Sequence, residues 1–274
     1  MKLKSLAMLT AVVALAGLVG CGGGASNSST PISTANFPNI TGNWELTVTS
    51  TQAPYTGDVS NIGVYLASTG GTVSGEAMFA PMCSTCSWPS DGESLNHSLT
   101  GTIDADGNIV LTSQYPSPYY SDFIVTLKAT GTTLASGTYT INSVPGSSTV
   151  TDQGTVTGSM IAPVNGIYSG TLVSSVSGTS MAVTATLSQT YAADTLGYLY
   201  LSGPVTITAS GWSNLPIPVQ CSFIGNSFSF NADLITLTGS ISPVGSGSPS
   251  TSAKTISVGY SAPDDYGYGT LTLQ

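Results

Sequence analysis

The sequence predicts an all-β fold of two tandem antiparallel up-and-down meander barrels with about eight strands each, and β-sandwiches are the alternative. Apolar residues occupy every second position over most of the chain, as in Trp44, Leu46 and Val48, which is the period of a half-buried strand. Turn signals such as Asp106-Gly107-Asn108 and Gly225-Asn226 recur about every ten residues. Connections this short favour antiparallel neighbours, because a parallel pair needs a crossover of a dozen or more residues.

The same unit occurs twice along the chain. One copy opens with Gly42-Asn43-Trp44, and the other opens with Gly166-Ile167-Tyr168. Their ends also correspond: Gly137-Thr138-Tyr139 and then Gly154-Thr155 close the first copy, and Val258-Gly259-Tyr260 and then Gly269-Thr270 close the second. We therefore expect two β domains, over residues 39–161 and 164–274.

The first 20 residues have the layout of a secretion signal. Lys2 and Lys4 precede an apolar run that is shorter than the roughly 20 residues needed to span a bilayer. The run ends at Leu18-Val19-Gly20-Cys21, which resembles the lipobox of bacterial lipoproteins. That resemblance implies a diacylglyceryl group on the thiol of Cys21, cleavage before Cys21, and more than one acyl chain on this residue, palmitate among them. The alternative is an ordinary signal peptide with an incidental cysteine.

Residues 21–38 consist almost wholly of Gly, Ser, Thr, Asn, Ala and Pro, a composition that cannot bury enough apolar surface to fold. We expect a flexible tether between the lipid on Cys21 and the first β domain. An Asp after the lipidated cysteine tends to retain lipoproteins in the inner membrane of diderm bacteria. Here the residue is Gly22, so the resemblance implies the outer membrane.

Charge excludes nucleic acid as a partner. The chain has 13 acidic residues and four lysines, and cleavage of the signal peptide leaves Lys128 and Lys254, so the mature net charge is −11. Phosphate binding needs clustered Lys or Arg. Charged residues make up 6% of the chain against roughly 25% in ordinary soluble domains, so Ser and Thr hydroxyls must carry solubility.

Gly42-x-Trp44 on a first strand resembles the start of lipocalin and avidin-like barrels, in which the Trp closes one end of a meander. The second copy has Gly166-x-Tyr168 instead, and the chain contains no Arg to pack on the Trp as in many lipocalins. The resemblance implies the barrel shape but neither lipocalin ligands nor a biotin site. Tandem Gly/Ser/Thr-rich units behind a lipobox are also similar to lipoproteins of environmental bacteria, a resemblance that implies no activity.

Cys83 and Cys86 form a C-x-x-C in a loop rich in Ser and Pro. In an oxidising envelope we expect a disulfide between them and a buried, unpaired thiol at Cys221. The alternatives are a bridge from the pair to Cys221, a redox pair, free thiols, and zinc held with His97. A redox pair needs a helix N-terminus that the sequence does not predict, and zinc lacks an evident fourth ligand nearby.

Aromatic side chains are the candidate ligand contacts, because tyrosine and tryptophan rings stack on sugars or on a protein partner. The candidates are Trp44, Tyr119, Tyr120, Tyr266 and Tyr268. A cell-surface glycan, a protein or a small apolar ligand are the partners that we consider. We expect no cofactor and no metal site.

Catalysis has little support in the sequence. His97 is the single histidine, and no Gly-x-Ser-x-Gly elbow surrounds any serine. Asp104-Ala105-Asp106-Gly107-Asn108 resembles the start of a calcium loop but lacks its final Glu, so a hairpin turn is expected. We therefore expect a non-enzymatic envelope protein whose β domains serve binding, adhesion or surface structure. A lipocalin-like carrier is the alternative, and an envelope hydrolase is a further one.

Overall fold

Two eight-stranded antiparallel sheets account for most of the described chain. The computed structural model describes residues 36–79, 95–114, 123–130, 133–142, 150–191, 199–208, 217–232, 235–241 and 252–274. The strands are β1 (Gly42–Ser50), β2 (Val59–Thr69), β3 (Thr72–Phe79), β4 (Leu95–Ile103), β5 (Asn108–Gln114), β6 (Phe123–Thr130), β7 (Thr133–Asn142), β8 (Val150–Met160), β9 (Gly166–Ser174), β10 (Ser180–Tyr191), β11 (Leu199–Thr208), β12 (Ile217–Phe223), β13 (Ser227–Ala232), β14 (Ile235–Ile241), β15 (Thr255–Ala262) and β16 (Asp265–Leu273). The predicted all-β class is confirmed. Within these ranges no helix is long and apolar enough to cross a membrane.

Strands β1 to β8 form a closed barrel. Each strand pairs with the next in sequence, and β8 returns to pair with β1, where Trp44 lies opposite Met160 and Ser50 lies opposite Gly154. This is the predicted up-and-down meander. Closure gives every strand two neighbours, so the barrel has no free edge.

Side-chain alternation fills the barrel from within. On β1 the side chains of Trp44, Leu46 and Val48 are buried, whereas Glu45 and Thr47 between them are partly exposed. Trp44 also satisfies its only polar group, because its indole nitrogen donates a hydrogen bond of 2.9 Å to the carbonyl of Ile40. Barrels of about eight strands are just wide enough to be filled in this way.

Tight hairpins begin where the sequence placed turn signals. Gly70 and Gly71 between β2 and β3 both have positive φ, 56° and 86°, as the two central residues of a type I′ turn require. At the β4–β5 turn Asp104 accepts hydrogen bonds of 2.8 and 2.7 Å from the backbone and side-chain nitrogens of Asn108. The aspartate-rich segment is therefore a hairpin turn, as expected.

The second sheet repeats the meander and curls in the same way but stays open along one seam. Its order is β12-β11-β10-β9-β16-β15-β14-β13, so its first and last strands, β9 and β16, are neighbours as β1 and β8 are. Its two edge strands, β12 and β13, follow one another in the chain. Phe223, Phe228 and Phe230 pack beside this seam, with ring centroids 6.3 and 5.3 Å apart for successive pairs.

The two sheets meet through a buried side-chain amide. Asn43 on the outer face of β1 donates a hydrogen bond of 2.7 Å to the carbonyl of Gly225 and accepts one of 2.7 Å from its N–H. Two glycines allow this approach, since a Cβ on Gly63 would lie 2.4 Å from the carbonyl oxygen of Ile224 and one on Gly225 would lie 2.6 Å from Gly63 Cα. Tyr65 packs into the core of the second sheet. Residues 36–274 accordingly form one compact unit.

Replacing Asn43 with Ala leaves both backbone groups of Gly225 buried without a partner. We expect the free energy of unfolding to fall by about 2 kcal/mol, because an unsatisfied buried polar group costs roughly 1–3 kcal/mol. Urea unfolding followed by circular dichroism measures the change. Asn61→Ala is the matched control, since it removes only an exposed hydrogen bond to Thr47. Equal losses in the two variants would refute the importance of this contact.

Candidate functional site

An open groove lies on the outer face of the second sheet, across β13 to β16. Its volume is about 810 Å³, within the range of roughly 300–1,000 Å³ of small-ligand pockets. None of its 13 lining residues is charged. Six of them are outward Ser or Thr residues: Ser227, Ser229, Thr238, Ser240, Ser257 and Thr270.

The antiparallel register sets these hydroxyls in rows that cross the strands. One row is Ser227–Ser240–Ser257–Thr270, and it continues to Thr171 on β9. A second row is Ser229–Thr238–Gly259–Tyr268, and it continues to Val173 on β9. Neighbouring members of a row are one strand spacing apart, about 4.8 Å. Because apolar side chains point inward at alternate positions, every second position of these strands is left for the outer face.

Gly259 forms the floor of the groove. It is an outward position without a side chain, between the hydroxyl of Thr238 and the ring of Tyr268. A Cβ there would lie 3.1 Å from Thr238 Oγ1. The φ of Gly259 lies outside the left-handed region, so its backbone does not require glycine. The effect of glycine at this position is therefore to leave room in the groove, since the backbone conformation would accept another residue.

Tyr268 and Tyr266 were predicted ligand contacts, and both are exposed on the same face of β16, at 70% and 58%. Tyr268 lines the groove, whereas Tyr266 lies two residues along the strand and does not. Val173, opposite Tyr268, and Val176 are also exposed. The tyrosines thus stand beside a small apolar patch at the edge of a hydroxyl-lined surface.

Trp44, by contrast, does not contribute to the surface of the chain. Its side chain is fully buried in the barrel core and bonded to the Ile40 carbonyl, so no surface ligand reaches it. A large aromatic side chain at an inward position of a first strand fills the barrel. The other candidates, Tyr119 and Tyr120, lie outside the described residues, as do Cys21, Cys83 and Cys86.

Cys221 on β12 carries no disulfide to another described residue. We expected it to be buried, but it is only half-buried. It packs against the core of the second sheet. Burial raises the pKa of its thiol to about 11. At neutral pH the thiol is therefore protonated and a poor nucleophile.

A buried carboxylate closes one end of the first barrel. Asp152 on β8 accepts a hydrogen bond of 2.6 Å from the hydroxyl of Ser50 and one of 2.9 Å from the hydroxyl of Tyr139. Its third donor, at 2.8 Å, is the backbone N–H of Gln153. All three side chains of this Ser–Tyr–Asp cluster are buried. Charge-assisted bonds of this kind tie together the ends of β1, β7 and β8.

The second sheet holds an equivalent Ser–Tyr–Asp cluster on the matching strands. Asp265 accepts hydrogen bonds of 2.7 Å from Ser174 and 2.6 Å from Tyr260. In both copies the tyrosine ring covers a glycine on the next strand: Tyr139 lies opposite Gly154, and Tyr260 lies opposite Gly267. The structure therefore equates Gly154 with Gly267, and the sequence-based match to Gly269 was wrong by two residues.

The electrostatics of the clusters fit a structural role. Burial, together with the hydrogen bond and the charge of Asp152, raises the pKa of Tyr139, and burial with the Asp265 bond raises the pKa of Tyr260. Hydrogen bonds from Tyr260 and Ser174 lower the pKa of Asp265. Both tyrosines are thus held as hydrogen-bond donors, and the carboxyl of Asp265 as an acceptor. In the described ranges no three His, Cys, Asp or Glu side chains are grouped to hold a metal ion.

Comparison with known proteins adds little. No family model matches the chain, and no curated protein matches it. The crystal structure of kievitone hydratase from Nectria haematococca is similar at 11% identity, over 89% of this chain and 92% of that one, with a TM-score of 0.23. At this TM-score the likeness supports no conclusion about fold or function.

Tyr139→Phe should make stability less sensitive to alkaline pH. The pKa of Tyr139 is raised in the folded chain, so its contribution is full below the unfolded value of about 10 and is lost as pH rises above it. Near pH 7 the variant should lose about 2 kcal/mol, because the lost bond to Asp152 is buried and charge-assisted, and such bonds contribute roughly 1.5–3 kcal/mol. Urea unfolding at pH 7, 10 and 11 measures both effects. An alkaline loss in the variant as steep as in wild type would contradict this assignment.

Cys221 should resist alkylation in the native chain because its pKa of about 11 leaves little thiolate at pH 8. Iodoacetamide labelling followed by mass spectrometry tests this, with urea-unfolded chain as the control. The same spectra test the predicted Cys83–Cys86 disulfide. Rapid native labelling, or a cross-linked peptide containing Cys221, would refute the corresponding assignment.

Proposed function

We propose that the chain is a non-enzymatic lipoprotein of the cell envelope, anchored by lipid on Cys21 and binding an external partner. The lipobox, the signal layout of residues 1–20 and the tether composition of residues 21–38 support the anchor. The residue after Cys21 is Gly22 and not Asp, and by resemblance to the sorting rule of diderm bacteria this supports location in the outer membrane. In this proposal the lipid holds the chain at the membrane and the β sheets face outward from it.

The observation that carries the binding role is the contrast between the outside and the inside of the second sheet. Outside lies the open groove of about 810 Å³. Inside, a cavity lined by apolar side chains such as Leu172, Val205 and Phe230 measures about 20 Å³, enough for about one water molecule. The difference between these two volumes favours a protein that binds its ligand on the surface. It disfavours a lipocalin-like carrier, which would need a larger interior cavity.

The groove also supports binding over hydrolysis. Its lining contains serines and threonines but no histidine, carboxylate or lysine that would activate them. The carboxylates of Asp152 and Asp265 are engaged by Ser and Tyr hydroxyls at the ends of the sheets. A hydroxyl surface without an adjacent base is suited to holding a ligand.

Cys21→Ser tests the anchor. We expect the variant to incorporate no labelled palmitate and to leave the membrane fraction, because the thiol that receives the lipid is gone. Cys221→Ser is the matched control and should be labelled and membrane-bound like wild type. Equal palmitate incorporation into the Cys21→Ser chain would sink the proposal.

A further inference from the structure

We infer that the groove on the outer face of β13 to β16 binds a neutral polysaccharide, with Tyr268 as its stacking platform and Gly259 as its floor. This inference rests on the proposed function and names the ligand class of that same site. Three features carry it: the hydroxyl rows, the space beside Tyr268, and the absence of charge among the lining residues.

The hydroxyl rows match the chemistry of a sugar chain. Each Ser or Thr hydroxyl both donates and accepts hydrogen bonds, as each sugar hydroxyl does. The row from Ser227 to Thr171 crosses five strands, a length of roughly 19 Å at about 4.8 Å per strand. Short side chains supply adaptable hydrogen bonds, as Ser does in antibody binding sites. The surface thus offers repeated polar contacts to a repeated ligand.

Tyr268 supplies the apolar contact that hydroxyls lack. Its ring is 70% exposed, with Val173 on one neighbouring strand and Gly259 on the other. Because Gly259 has no side chain, the space between Tyr268 and the hydroxyl of Thr238 is unfilled, and we expect a sugar ring there to contact both. An exposed tyrosine gives rigid, amphipathic contact area at low entropic cost.

The first barrel provides an internal comparison. Aligning the two Ser–Tyr–Asp clusters equates Thr238–Gly259–Tyr268–Val173 with Thr126–Thr138–Thr155–Thr49, which is also a cross-strand row. There Thr138 occupies the position of the floor, and its hydroxyl lies 2.8 Å from that of Thr126. The equivalent position is therefore filled by a threonine side chain in the first barrel. In the second sheet it is empty and lies beside Tyr268.

Charge narrows the ligand to a neutral one. The mature chain has a net charge of −11, which repels polyanions, and the groove presents no cation to hold a phosphate or uronate. It also presents no carboxylate to hold a cationic polymer. A protein partner would need about 800 Å² of surface per side with an apolar centre. The outward side chains of this groove are Ser and Thr hydroxyls and one tyrosine, and its apolar lining residues Phe223, Phe228 and Val258 are buried in the core.

The test is affinity electrophoresis of the full mature lipoprotein in non-ionic detergent gels that contain a polysaccharide. The neutral probes are dextran, laminarin and galactomannan, and the anionic probes are alginate and polygalacturonate. We expect at least one neutral polymer to retard wild type and both anionic polymers to leave it unretarded. Gly259→Thr and Tyr268→Thr, which install the residue types of the first barrel, should each weaken that affinity roughly tenfold.

Tyr266→Thr is the matched control, because it removes an exposed tyrosine of the same strand that does not line the groove. It should stay within about twofold of wild type, and all variants should keep the wild-type melting curve or a higher one. Retardation by no neutral polymer, stronger retardation by an anionic one, or equal losses in all three variants would overturn the inference. Palmitate labelling of Cys21 is independent of these outcomes, so failure of the ligand class and failure of the anchor are distinguishable.

Discussion

Burial of one apolar side chain at every second strand position is the constraint on which both sheets depend. On β1 it commits Trp44, Leu46 and Val48 to the interior, and the same alternation recurs in the second sheet. With so few charged residues in the chain, the other face of each strand is left to hydroxyls. The polar surface that we propose as a binding site is thus a by-product of the rule that builds the core.

Alternation and turn chemistry were enough to predict the all-β class and the antiparallel pairing of successive strands, whereas closure into a barrel was expected from the resemblance of Gly42-x-Trp44 to lipocalin and avidin-like barrels. They could not predict the seam between β12 and β13, because edge pairing depends on how far the whole sheet curls. Nor could they predict the contact of Asn43 with Gly225, whose partners are 182 residues apart. The match of Gly154 to Gly269 failed for a related reason: spacing along one strand does not reveal cross-strand register.

The candidate site could be predicted from the sequence only in part. Tyr266 and Tyr268 are both exposed, as expected of the candidate ligand contacts, but only Tyr268 lines the groove. Trp44 is buried in the barrel, as its alternation with Leu46 and Val48 indicates more strongly than its chemistry indicates a ligand contact. Gly259 carried no signal of its own, since only the register of β15 and β16 brings it beside Tyr268. The roles of Cys83, Cys86, Tyr119 and Tyr120 stay predictions.

Comparison of the two copies distinguishes the residues that maintain the fold from those that we propose bind a ligand. Both copies keep an inward aromatic residue after the opening glycine, and both keep the Ser–Tyr–Asp cluster. What differs is an outward row, threonine throughout in one copy and opened by Gly259 beside Tyr268 in the other. Outward positions contribute little to the buried area that stabilises the fold. They can therefore diverge without loss of the sheet. A surface site can arise in one copy while the equivalent row of the other copy stays filled by threonine side chains.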